Sequence, residues 1–191
     1  MLQPSEIERA LVITAHPDDV DFGSAGTVAW LTDQGVEVTY CLVTDGDAGG
    51  FDQTIPRDVM ASLRSEEQTR AAKEVGVHSL IFLGHGDGRV VYDLTLRRDL
   101  SRVIRQVRPT VVITQSPERN LDRIYASHPD HVAVGQAALA AVYPDSRNPF
   151  AFPELLQDEG LEPWTVNEVW TQGGFEIPES ARVVVDVTGN F

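Results

Sequence analysis

Apolar runs that each end in a short polar or glycine-rich turn and lead into a helical pattern recur along this chain. That alternation constrains its fold more than any other feature. Leu11–Ile13, Val36–Thr44, Leu80–Leu83 and Thr110–Thr114 read as buried strands. Thr110–Thr114 is unbroken by polar residues, as a strand covered on both faces requires. Ser24–Gln34, Arg57–Val75, Leu96–Val107 and Pro129–Val142 read as the helices that alternate with them. Gly35 and Gly76 stop the first two, Pro109 ends the third, and Pro129 suits a first helical position. Strands alternating with helices predict an α/β fold, a mostly parallel sheet with helices on both faces. Tyr143–Pro163, rich in proline and acid, reads as an irregular excursion. Val166–Thr171 and Arg182–Val187 predict a C-terminal strand extension. Residues 1–191 fit one domain, and a chain stopping at Asn190-Phe191 straight after a strand predicts that a C-terminal element is missing.

The formal net charge of −14 excludes nucleic acid and anionic membrane surfaces as default partners, because both need a basic face. Cys41 is the single cysteine, so no disulfide forms within the chain, and it reads as a buried structural thiol. No run approaches the roughly 18 apolar residues that a membrane span needs. The N-terminal MLQPSEIERA lacks a secretion signal, which predicts a cytoplasmic protein.

Chemistry concentrates in two short motifs, His16-Pro17-Asp18-Asp19 and His128-Pro129-Asp130-His131. Each follows a strand-like run, at the carboxyl edge where open α/β sheets bind ligands. Pro17 restricts His16 and fixes its own φ, so the turn is stiff and aims His16 and Asp19 at one point. His128 and His131, three apart at a helix start, lie on neighbouring faces of the first turn. His16, Asp19 and His131 then form a two-histidine, one-carboxylate set with open positions, which suits catalytic zinc and also iron(II). Asp18 and His128 are left as acid/base groups, with Asp130 read as orienting His128 or as favouring the helix N-terminus.

Each motif alone is also an ordinary turn; their joint placement at strand ends is what points to a metal. Asp45–Gly50 reads equally as a surface turn or as a loop that lets backbone approach a ligand. His78 lies in a helix-to-strand connection away from this edge, and His85 lies on the correct edge without a dictated role. No G-x-G-x-x-G follows the first strand, which disfavours a dinucleotide-binding module.

The same residues resemble the LmbE/PIG-L family of metal-dependent de-N-acetylases. The resemblance rests on Ala15–Asp19 with Gly23 and Gly26-Thr27, on Arg64 and Glu67 ahead of Ala71-Ala72, on Leu83-Gly84 with Asp87, and on His128–His131. It implies a Rossmann-like fold, zinc held by His16, Asp19 and His131, Asp18 as general base and His128 as oxyanion stabiliser. It further implies that Arg64 and Asp87 contact the sugar side of an N-acetylglucosamine-type substrate. Val20 stands where a glutamate often follows the Asp-Asp pair. Ala126 stands where a tyrosine often assists, with Tyr125 one residue away. A His-x-Ser-Gln-like segment is absent. A non-catalytic sugar- or nucleotide-binding module, and a metal hydrolase of another amide or ester, stay open as alternatives, as does a homo-oligomer.

Overall fold

The strand at the centre of the sheet is β1 (Arg9–Thr14), whose residues from Ala10 onward are buried. This computed structural model describes residues 2–122, 124–172 and 184–190. β1 pairs in parallel with β2 (Glu37–Thr44) on one side and with β4 (Val111–Gln115) on the other. β3 (Ser79–His85) lies outside β2, and β5 (Glu168–Gln172) lies outside β4, both parallel, giving the order β3-β2-β1-β4-β5. The chain winds outward from β1 to β3, then returns to the opposite edge of β1 as β4. The strand order therefore reverses between β1 and β4, which opens a crevice beyond their carboxyl ends.

Successive residues of each strand face opposite layers. Leu11, Ile13, Cys41, Val43 and Val112 pack on Leu96, Leu100 and Ile104 of α4 (Leu94–Val107) and on Val134, Ala137 and Ala138 of α5 (Pro129–Val142). On the other face, Ala10, Val12, Tyr40, Leu42 and Ile113 pack on Val28 and Leu31 of α2 (Ala25–Asp33) and on Ala72 of α3 (Arg57–Glu74). The Rossmann-like α/β expectation therefore holds. No helix among the described residues is long and apolar enough to cross a membrane.

Three local features add to or change the expectations. The helix expected over Ser24–Gln34 is α2, within one residue at each end, but an unexpected short helix, α1 (Asp19–Gly23), precedes it and is separated from it at Ser24. The Gln172 side-chain amide donates to Ser24 Oγ at 2.6 Å, and any Cβ on Gly23 would meet Gln172 Oε1 at 2.7 Å, so β5 wedges against the break. The Tyr143–Pro163 excursion is tied down and contains α6 (Pro153–Gln157). Arg105, 2% exposed, donates to the carbonyls of Asp145, Ser146, Asn148 and Ala151, and Arg97 holds the Asp145 carboxylate with two hydrogen bonds of 2.8 and 2.9 Å. Of the strand expected at Arg182–Val187, residues 182 and 183 lie outside the described residues. Val184–Val187 take no place in the sheet.

Candidate metal centre

The two histidine motifs flank the β1–β4 crevice. His16 follows β1 in a turn that Pro17 stiffens, and Asp19 opens α1. His128 caps α5, its Nδ1 accepting the Asp130 amide at 3.2 Å, and His131 completes the first turn. Helix α5 presses closely on the end of β4. A Cβ on Gly135, one turn beyond His131, would lie 2.5 Å from the Gln115 carbonyl oxygen, so only glycine permits that approach. Gln115 in turn accepts the Ala15 amide through Oε1 at 3.0 Å, fixing the residue before His16.

Three side chains converge. His16 Nδ1 lies 3.2 Å from His131 Nε2 and 3.4 Å from Asp19 Oδ2, and His131 Nε2 lies 3.0 Å from Asp19 Oδ1. Ligands about 2.0–2.2 Å from a tetrahedral ion sit about 3.3–3.5 Å from one another. The observed separations, 3.0–3.4 Å, lie at or just below that spacing, so a small outward movement of the donors would admit an ion. His16, His128 and His131 also each offer a ring nitrogen within 4.8 Å of the other two, with ring centroids 4.9–5.2 Å apart. The opposite nitrogen of His16, Nε2, faces Asp130 Oδ2 at 3.2 Å and Asp87 Oδ1 at 3.3 Å. A carboxylate behind a metal-binding imidazole is the usual device for fixing its tautomer and orientation. The residues present therefore suit a divalent ion.

The sequence model of the family described as "PIG-L: GlcNAc-PI de-N-acetylase" matches residues 11–142, which include both motifs. The chain belongs to the PIG-L family. Among its relatives, the diacetylchitobiose deacetylase of Thermococcus kodakarensis is 32% identical over 184 residues, covering 96% of this chain and 65% of that protein. A probable N-acetyl-α-D-glucosaminyl L-malate deacetylase 2 of Bacillus cereus is 35% identical over 137 residues, or 69% of this chain and 60% of that protein. The structure of N,N'-diacetylchitobiose deacetylase from Pyrococcus horikoshii, bound to its inhibitor, superposes with a TM-score of 0.86 at 29% identity. That superposition covers 97% of this chain and 66% of the other. The chain thus spans less than two thirds of the length of each of these proteins.

The electrostatics of this PIG-L site are strongly coupled. Burial alone would lower the His16 pKa, but Asp19, Asp87 and Asp130 outweigh it and push the ring up to about 9 from its ordinary 6.5. Burial would likewise raise Asp19, yet hydrogen bonds from His131 and His16 hold its carboxyl well below the usual carboxylate range. His128 is shifted down, first by burial and then by the neighbouring His16 and His131.

Each residue expected from sequence has a definite place. His16, Asp19 and His131 meet. Asp130, 1% exposed, turns its carboxylate to His16 and to the Gly88 amide (2.8 Å), and touches His128 only through its backbone N–H. The expected orienting contact thus falls on the other histidine, because the first turn of α5 points residue 130 into the crevice rather than along the helix. Arg64 donates through Nη2 to Asp18 Oδ2 at 2.6 Å and to the Pro17 carbonyl at 2.9 Å. Asp87 accepts the Ala48 amide at 3.2 Å besides facing His16. His85 ends β3 and pairs with Asp99 of α4 at 3.2 Å, and His78 is exposed in the α3–β3 connection. Tyr125 is 74% exposed in a short helical turn before His128.

Two buried polar residues escape a reading by motif: Gln68, 1% exposed, and Gln115, 5% exposed. The one available signal for Gln68 is its spacing, four residues after Arg64 and four before Ala72, which puts all three on one face of α3. Gln115 carries a different signal, a polar side chain ending an otherwise apolar strand.

Proposed function

We propose that this PIG-L member is a hydrolase that removes the acetyl group from an N-acetylglucosamine-type substrate with the help of a divalent ion. The observation that carries the reading is the convergence of His16 Nδ1, Asp19 and His131 Nε2 at 3.0–3.4 Å. The names of the relatives, diacetylchitobiose deacetylase and N-acetylglucosaminyl malate deacetylase, support the substrate class. An ion held by His16, Asp19 and His131 would supply Lewis acidity, polarising the acetamide carbonyl and acidifying water. Our reading takes it as zinc, with iron(II) the alternative for the same donor set.

The chain's own residues then have separate tasks. Arg64 holds Asp18 by Oδ2 while the Asp18 side chain stays 44% exposed, which leaves Oδ1 to accept the proton of the attacking water. His128 accepts the Asp130 amide at Nδ1, so its neutral form carries the proton on Nε2. The downward shift of its pKa favours that neutral form, and Nε2–H is the donor for the oxygen that gains charge. Asp130 and Asp87 keep His16 oriented through Nε2. Hydrolysis breaks the C–N bond; the water oxygen stays on the acetyl carbon, and the proton held by Asp18 passes to the amine. Arg64 and Asp87, whose side chains keep 27% and 13% exposure, are assigned to the sugar hydroxyls. The reading keeps the expectation of a cytoplasmic protein; the one cysteine, Cys41, is buried and free.

The test is metal analysis of the purified protein followed by acetate release from a panel of N-acetylglucosaminides, with and without chelator. Release that chelator abolishes and zinc restores supports the proposal. Release from simple esters alone, or release indifferent to chelator, overturns it.

A further inference from the structure

Asp18 is bent into a conformation that non-glycine residues avoid, with φ 85° and ψ −23°, between the stiff Pro17 turn and the start of α1. Its backbone N–H is taken by the side chain of a residue fifty positions later: Gln68 Oε1 accepts it at 2.6 Å. Gln68 is buried on the inner face of α3, and its amide nitrogen donates in turn to Asp21 Oδ1 at 3.3 Å. One turn earlier on the same helix, Arg64 grips the Asp18 carboxylate and the Pro17 carbonyl.

We propose that Gln68 is a positioning residue that locks the Asp18 peptide unit in this conformation, so that α3 sets both the backbone and the carboxylate of the proton acceptor. This rests on the assignment of Asp18 as the base. A buried glutamine is suited to the task because it presents an acceptor to Asp18 and a donor to Asp21 from one rigid amide. Without the acceptor, the Asp18 N–H is unpaired and the left-handed conformation loses the bond that compensates for it. The Asp18 carboxylate then swings from its working direction, while His16, Asp19 and His131 keep their places.

The experiment uses the zinc-loaded full chain. Gln68→Met keeps the volume and removes the acceptor; it is expected to leave zinc content and KM within about twofold while kcat falls about 10- to 100-fold, the usual cost of an outer-shell partner. Gln68→Glu combined with Asp21→Asn keeps an acceptor for Asp18 and reverses the polarity of the second bond. This pair is expected to recover kcat to within about threefold of the original, as coupled neighbours do. A packing role would not separate these two variants. If Met at 68 fails to fold, Gln68→Asn, which withdraws the amide by one methylene, is read the same way. Hydrogen exchange of the Asp18 amide gives a readout independent of catalysis: protected in the original, unprotected in Gln68→Met. Full kcat in Gln68→Met, no recovery in the double variant, or a fast-exchanging Asp18 amide in the original each overturns the proposal. Absence of acetate release by the original chain, with the Asp18 amide still protected, sinks the deacetylase reading instead.

Discussion

His16 and His131, 115 residues apart in the chain, bring Nδ1 and Nε2 to within 3.2 Å of each other at the mouth of the β1–β4 crevice. The contact sets two ring nitrogens close enough to serve one ion, and Asp19 closes the triangle. Removing one corner leaves two donors, too few for a catalytic site. His131→Ala is expected to lose bound zinc and acetate release together, with zinc falling from about one ion per chain to a trace. Elemental analysis of the protein after gel filtration measures it.

Asp18 takes no part in that triangle. Asp18→Asn should therefore keep its zinc, keep its fold and lose about 10²–10⁴ in kcat, the range of a general-base contribution. A single-turnover assay beside elemental analysis separates this loss from the one at His131.

The charge on His16 gives the metal-free protein a pH signature. Its folded pKa, pushed up to about 9, stands above the unfolded value of 6.5, so the protonated ring stabilises the fold. That stabilisation is complete below pH 6.5 and is lost as pH rises through about 9. Zinc must displace the same proton, so its apparent affinity should rise about tenfold per pH unit between pH 7 and 9 and then level off. Titration with zinc at stepped pH, in buffers of different ionisation enthalpy, reads both the slope and the proton released.

Gly135 carries no chemistry, yet it sets how near α5 comes to β4. Gly135→Ala places a methyl group against the Gln115 carbonyl at 2.5 Å, and the helix must shift to make room. A loss of about 1–3 kcal/mol in stability is expected, as for other overpacked sites. Zinc affinity should fall with it, because His131 rides on the same helix. Thermal unfolding with and without zinc, compared across the two proteins, tests the coupling.

Where local signals coincide, sequence alone places elements well. Pro129 fixes the start of α5, and the expected Pro129–Val142 is the observed helix. The apolar stripe of Leu96, Leu100, Val103 and Ile104 locates α4, and the unbroken strand runs locate the centre of the sheet. The short helix α1 ahead of Ser24 is different: the stretch after Asp18 reads as a polar loop, and Gln172, 148 residues away, packs against the junction with α2. β3 runs on to His85 because it pairs with Thr44 across an irregularity, although Gly84 looks like a stop. At the centre, residue types and spacing bring His16, Asp19 and His131 to notice. The partners of Asp130 and the burial of Gln68 follow from how helices seat on the sheet. A polar side chain on a helix flank reads as solvent-facing until a second element covers it.

The β1–β4 pairing joins Ala10 to Val111 and Ile13 to Thr114, with two whole strand-and-helix units threaded between. During synthesis the amino-terminal motif emerges early but has nothing to meet. It must wait until the fourth strand has docked and the helix after it has begun to wind. The donor triangle thus forms only after that fourth strand is in place, and any intermediate lacking the central seam is blind to the ion.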